Sequence, residues 1–235
     1  MCSLEKRGNV YILTFVGDGE HRFNPTTFDA ISDALKEVEE SADAAALVTT
    51  NAGKYFSCGL DMKWVGESPH DRFDIGMEKL ENMFAAFMKL SIPTVAAICG
   101  HAEASAFTLA LAHDYRFMST QGSSHLYMCE LDHGFNIPKS MLTLIRSKLH
   151  PAALRDVVLG GTKLNAQMAF QKGIVDAAFD DSVGTLQAAV KEAEKLAVRG
   201  WNREIYRSFR LAAFPDVVEE LDIHVPYRML ASYNF

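Results

Sequence analysis

Tyr55-Phe56-Ser57-Cys58-Gly59-Leu60-Asp61 is the stretch on which the reading of this chain turns. It follows an apolar run, Ala44 to Thr50 (AAALVTT), that reads as a strand buried on both faces, and a turn at Asn51-Ala52-Gly53-Lys54. Small residues at 57 to 59 let another molecule approach the backbone. A loop leaving a buried strand can aim N–H groups at one point, and preset donors are what a developing oxyanion requires. By itself the stretch reads more simply as a tight strand-to-helix turn.

A second segment adds a partner. Thr94 to Cys99 (TVAAIC) is an apolar strand, Gly100-His101-Ala102-Glu103 reads as a turn, and Ala104 to Ala112 as an apolar helix with small residues in its first turn. The helix start offers unpaired N–H groups and a positive dipole end. Two such sites can share one carbonyl oxygen.

Working outward, Val10 to Val16 (VYILTFV) is a strand between Gly8-Asn9 and Gly17-Asp18-Gly19. Asn24-Pro25 opens a helix that runs to about Glu40. Phe73 to Leu90 carries apolar residues at helical spacing, and Tyr115 to Ser119 and Leu126 to Cys129 are short strands. Helices follow at Ala152 to Leu159, Asn165 to Lys172 and Val183 to Val198, with more helix near Val217 to Leu230. Strands alternating with helices, then helices alone, predict an α/β fold with a helical C-terminal portion. Without a linker, low-complexity stretch or internal repeat, residues 1–235 read as one domain, its core at about 8–195 and its C-terminal helical region at about 196–235.

Composition excludes several classes of function. Apolar residues make up 49% of the chain, enough for a sizeable core, and the net charge is −7, which disfavours nucleic acid as partner. No apolar stretch is long enough to span a bilayer and the N-terminus does not read as a signal peptide. The four cysteines form no C-x-x-C pair, so no metal site is expected and free thiols in a reducing compartment are.

The first two segments carry a resemblance. Y-F-S-C-G-L-D is similar to the F-S-A-G-L-D loop of the enoyl-CoA hydratase/isomerase (crotonase) superfamily, and I-P-T-V-A-A-I-C-G-H-A with its small-residue helix resembles the superfamily's second signature, about 45 residues on. Ala166 to Asp176 (AQMAFQKGIVD) resembles a third motif, A-x-x-x-G-L-V-D. The resemblance implies a crotonase-type spiral of ββα units, assembled as a homotrimer or dimer of trimers. It implies an acyl-CoA substrate, with coenzyme A as part of that substrate and no separate cofactor. It places the oxyanion-hole N–H groups at Leu60 and Ser105, and substrate contacts at Ser57, Cys58, Gly59, Asp61 and Lys63, the last toward a CoA phosphate.

Within the superfamily the acid/base groups vary. Hydratases carry a glutamate where this chain has Thr108, which cannot serve as a carboxylate base. The second glutamate position is filled by Glu130, in Leu126-Tyr127-Met128-Cys129-Glu130-Leu131-Asp132, eight residues before Pro138. This segment resembles plant-type Δ3,Δ2-enoyl-CoA isomerases, and a carboxylate amid Leu, Tyr, Met and Cys is expected to have a raised pKa. The reading is thus an isomerase of unsaturated fatty-acid β-oxidation. The alternatives are a crotonase-fold enzyme repurposed for another thioester, and a non-catalytic CoA-binding or scaffold protein. Plant relatives are typically peroxisomal, but the chain ends Ala-Ser-Tyr-Asn-Phe rather than in a Ser-Lys-Leu type address, which leaves the cytoplasm as the other location. Of the neighbouring groups, Asp132 reads as a turn cap or as a group that orients a neighbour, Glu103 as solvent-exposed or as a second base, and Cys58 and Cys129 as small apolar fillers. Met62, Trp64, Met77, Phe84, Phe87 and Phe135 are candidates for the wall of an acyl tunnel.

Overall fold

The structure is a computed structural model and describes residues 1–17 and 19–224. Asp18, the part of the expected last helix beyond 224, and the C-terminal residues Ala231 to Phe235 lie outside the described residues.

The chain opens with an antiparallel hairpin, β1 (Cys2–Arg7) and β2 (Val10–Phe15). The helix α1 (Pro25–Glu40) follows, its first turn closed by Asn24, whose Oδ1 accepts from the Thr27 N–H at 3.1 Å. Then a pattern repeats. A strand of one sheet is followed by a short strand of a second sheet and then by helix. The first round is β3 (Ala46–Asn51), β4 (Tyr55–Ser57), α2 (Met62–Gly66) and α3 (Pro69–Met88). The second is β5 (Thr94–Ile98), β6 (His101–Glu103) and α4 (Ser105–Ala112). The third is β7 (Tyr115–Ser119), β8 (His125–Tyr127), the one-turn α5 (Glu130–His133) and α6 (Lys139–Lys148). The chain closes with α7 (Pro151–Leu154), β9 (Leu164–Asn165), α8 (Ala166–Gln171), β10 (Ala177–Phe179), α9 (Ser182–Ala197), α10 (Arg203–Ala213) and α11 (Pro215–Asp222).

The six-stranded sheet has the order β1-β2-β3-β5-β7-β10, parallel except for the opening hairpin. The four-stranded sheet has the order β4-β6-β8-β9. All residues of β3 and β5 are buried, as near-continuous apolar runs require when a parallel sheet is covered on both faces. One face packs Leu13, Phe15, Leu47, Ala96 and Ile98 against α1, α3 and α4. The other packs Val10, Ile12, Val48 and Val95 against Ala189, Val190 and Ala193 of α9. This is the expected α/β architecture with a helical C-terminal portion.

The differences from expectation are local. The repeat is structural and leaves no trace in the sequence, because each round keeps only the burial pattern. Gly100 to Glu103, expected as a turn, contains β6. Three residues suffice to pair with β4 and β8, and Gly100 is where the chain changes sheets. A Cβ at Gly100 would fall 2.3 Å from the Lys54 carbonyl oxygen, so only glycine allows this crossing. The strand expected at Leu126 to Cys129 ends at Tyr127. The helix α6 was not foreseen. Residues Arg155–Leu159 form a π-helical turn that continues α7.

Candidate active site

The loop after β4 is shaped by the segment before α1. Phe23 N–H donates to the Gly59 carbonyl (2.8 Å) and Asp61 N–H to the Phe23 carbonyl (2.9 Å), a one-residue parallel bridge. The residue between two such bonded neighbours, Leu60, turns its own N–H and C=O to the other side. Ser57 Oγ donates to the His21 carbonyl (2.7 Å) and accepts from Gly59 N–H (3.0 Å). Gly59 has φ +74°, a conformation that disfavours any side chain. Asp61 caps α2, its Oδ1 accepting from Lys63 and Trp64 N–H at 3.1 Å each.

Opposite this loop stands the start of α4. Ala104 makes the turn from β6 with φ +52°, a position that costs a side-chain-bearing residue about 1–3 kcal/mol. Its N–H is tied to the Tyr127 carbonyl at 2.8 Å. Ser105 is then the first helical residue, and its N–H has no acceptor within the helix.

Leu60 and Ser105 meet at a cavity of about 240 Å³. Its wall is largely apolar: Met62, Phe73, Met77, Leu80, Phe135, Pro138 and Met141. Phe73 and Phe135 are stacked with ring centroids 6.0 Å apart. Polar groups come from Arg22, Glu103, Glu130, His133 and Asn136, and Cys58 and Cys129 complete the lining.

Glu130 is the first residue of α5, and its carbonyl accepts from Phe135 N–H at 2.8 Å, which closes the turn. Its Oε2 is buried without a hydrogen-bond partner among the described residues. Burial pushes the carboxyl pKa up from 4.5 to about 7, against the smaller opposing effects of its own backbone N–H and of His133. Such a group is held near the midpoint of its titration at neutral pH and can take up and return a proton.

The sequence-derived site residues therefore divide. Leu60, Ser105, Glu130 and Cys58 line one cavity. Ser57 and Gly59 lie behind it and hold the loop's shape, and Asp61 is occupied as a cap, also accepting from Asn24 Nδ2 at 3.2 Å. Lys63 is exposed at the start of α2, outside the cavity wall. Of the tunnel candidates, Met62, Met77 and Phe135 line the cavity, whereas Phe84 and Phe87 are fully buried core and Trp64 packs beside it.

Two neighbours differ from the simpler expectation. Asp132 is not a cap. It accepts the Tyr127 hydroxyl, because the turn of α5 brings it back over β8. Glu103 is half-buried rather than exposed, with Oε1 2.8 Å from His125 Nε2 across adjacent strands. The Cys129 thiol is pushed up to about 12, by burial first and then by Glu130, which keeps it protonated and unreactive. Arg22, Phe73, Leu80, Asn136 and Met141 were missed. Phe73 and Leu80 come from α3, Met141 from α6, and Arg22 and Asn136 from the segments before α1 and α6, and no short motif links them.

Comparisons with known proteins bear on the family of the whole chain. The enoyl-CoA hydratase/isomerase family profile matches residues 8–212. Enoyl-CoA delta isomerase 2, peroxisomal, of Arabidopsis thaliana is 40% identical over 225 residues, covering 92% of this chain and 93% of that protein. Enoyl-CoA delta isomerase 3 of the same plant is 37% identical, with 100% of both chains covered. Among solved structures, an enoyl-CoA hydratase/isomerase family protein from Pseudomonas syringae superposes with a TM-score of 0.87 at 21% identity, over 95% of this chain and 94% of that one. An apo enoyl-CoA isomerase from Mycobacterium tuberculosis gives 0.84 at 19%, over 94% of each chain. At those identities the structural likeness is one of fold, with the same spiral of ββα units. Taken with the family profile and the plant relatives, it leads to one conclusion: this chain belongs to the enoyl-CoA hydratase/isomerase family.

Proposed function

We propose that the protein is an enoyl-CoA isomerase that moves a 3-enoyl-CoA double bond to the 2-trans position, with Glu130 as its one base. The observation that carries this is the Glu130 carboxyl itself: a buried oxygen without a partner among the described residues, in a mostly apolar cavity, with its pKa raised by burial to about 7. A hydratase needs a second carboxylate to hold water, and the position on α4 that would supply it is Thr108, fully buried.

The thioester oxygen sits between the N–H groups of Leu60 and Ser105. Polarisation of the carbonyl acidifies the α-carbon. Glu130 removes an α-proton, and the electron pair spreads over the dienolate, with negative charge on the oxygen the two donors face. The protonated Glu130 then delivers that proton to the γ-carbon. One C–H bond breaks at the α-carbon, one forms at the γ-carbon and one double bond moves, so atoms and electrons balance without a cofactor. The apolar wall receives the acyl chain. The CoA phosphate contact assigned to Lys63 belongs to the same proposal, supported by an exposed ammonium close to the loop.

Assembly as a homotrimer is a further part of this reading. It is supported by Trp201, Ile205 and Phe209, which are 41%, 58% and 74% exposed along one stripe of α10 and the residues before it. Two of the Arabidopsis relatives are named peroxisomal and a third is not, and a peroxisomal location for this chain is proposed on the first two.

The test is to incubate the protein with 3-hexenoyl-CoA and follow formation of the conjugated enoyl-CoA, comparing wild type with Glu130→Gln. Loss of the base is expected to lower kcat by about 100- to 10,000-fold. An inactive wild type, or a variant with full activity, refutes the mechanism.

A further inference from the structure

We propose that the Ser105 side chain is a third donor to the thioester oxygen, beside the two backbone N–H groups; the inference deepens the isomerase reading and rests on it.

Two hydroxyls of α4 are buried without a partner among the described residues, Ser105 and Thr108, and of these residues only Ser105 lines the cavity. Ser105 is 3% exposed, and its Oγ is buried with no hydrogen-bond partner among the described residues. Folded proteins rarely leave such a group unsatisfied, and one that persists calls for a ligand or a solvent molecule to complete it. Several polar groups around the site are already committed. Ser57 Oγ is bonded to His21 and Gly59, Glu103 Oε1 to His125, and the Ala104 carbonyl accepts the N–H groups of Phe107 and Thr108.

Position identifies the ligand atom. Ser105 lines the cavity at the first residue of an eight-residue helix. A Cβ built on Gly59 would fall 2.9 Å from Ser105 Oγ. The hydroxyl therefore lies against the residue whose carbonyl carbon is bonded to the Leu60 nitrogen. It belongs to the residue that carries one backbone donor and lies against the residue that precedes the other, beside the place of the oxygen they would share. Gly59 thus has a second role besides its positive φ: any side chain there would occupy the space this hydroxyl needs.

The chemistry requires no proton transfer from serine. As Glu130 takes the α-proton, charge grows on the thioester oxygen. A hydroxyl donor strengthens as that charge develops and gains more in the transition state than in the ground state. Its proton stays on Ser105 throughout.

The test uses hexanoyl-CoA labelled with ¹³C at the carbonyl, a saturated ligand that binds without turnover. Difference infrared spectra of the complex read the carbonyl stretch directly. In the wild type the stretch should be shifted to lower frequency than in free ligand, and in Glu130→Gln the shift should persist. In Ser105→Ala and Ser105→Gly, both of which keep the backbone N–H, it should move back toward the free value while affinity is little changed. Their kcat with 3-hexenoyl-CoA should fall by about 100-fold, the low end for loss of one such donor, with KM little changed. Binding of hexanoyl-CoA shows that each variant is folded. If both variants keep the wild-type stretch and kcat, the hydroxyl is no donor and the inference is overturned. A wild type that shifts the carbonyl but isomerises nothing defeats the isomerase reading while the spectra still decide the donor. A wild type that does not bind the ligand defeats both.

Discussion

Replacing Glu130 with glutamine should destroy activity and, at alkaline pH, stabilise the fold. Burial raises the Glu130 pKa from 4.5 to about 7, so the ionised carboxylate is less favourable in the folded protein than in the unfolded chain. Below about pH 4.5 the group is protonated in both states and contributes nothing. Between 4.5 and 7 the unfolded chain loses its proton while the folded protein keeps it, so stability falls as pH rises. Above 7 the whole cost is present, and the shift corresponds to about 3 kcal/mol. Glutamine has the same shape and never ionises. The variant should therefore match the wild type at pH 4.5 and exceed it at pH 8 by up to about 3 kcal/mol, measured by urea unfolding at each pH. The same group governs the rate: kcat/KM of the wild type should rise about tenfold per pH unit below 7 and level off above it. A stability difference between the two proteins that does not change from pH 4.5 to pH 8 would refute the argument that this carboxyl is desolvated in the native cavity.

Other outcomes follow from the packing. Gly100→Ala should be among the most damaging single substitutions, costing about 3 kcal/mol or more of unfolding free energy, since its Cβ would fall 2.3 Å from the rigid Lys54 carbonyl; a melt within a degree of wild type would contradict it. Thr108→Val should be neutral or stabilising by about 1 kcal/mol in thermal unfolding, because the Thr108 hydroxyl is buried without a partner among the described residues and valine fills the same space. Arg210→Met should cost about 3–5 kcal/mol in urea unfolding: the guanidinium pairs with Asp114 and donates to the Leu90 and Ile92 carbonyls at 2.8 and 2.9 Å, so its loss removes the ion-pair partner of a carboxylate that keeps only the neutral donors of Thr94 and Tyr206, and two carbonyls lose their donor. Phe209→Asp, on the exposed stripe of α10, should shift the mass measured by light scattering from trimer to monomer without lowering monomer stability; an unchanged mass would remove this face from the assembly.

The parts of this protein legible in the sequence are those specified by residues close along the chain. The runs Ala44 to Thr50 and Thr94 to Cys99 announce buried strands because each residue of a doubly covered strand must be apolar or small. The loop from Ser57 to Asp61 is marked by its small residues, and Glu130 by an acidic group among apolar ones. What the tertiary structure alone decided is what those features face. Phe23, distant from the loop in sequence, turns the Leu60 N–H toward the cavity. Arg22, Phe73 and Met141 reach the same wall from three separate elements. Glu103 meets His125, and Asp132 meets Tyr127, only because parallel strands and a one-turn helix bring them together. In the sequence Ser105 stands out only for its backbone N–H, not for its hydroxyl. Its meaning depends on the absence of a side chain at Gly59, and that contact exists only once the second round of the spiral has packed against the first.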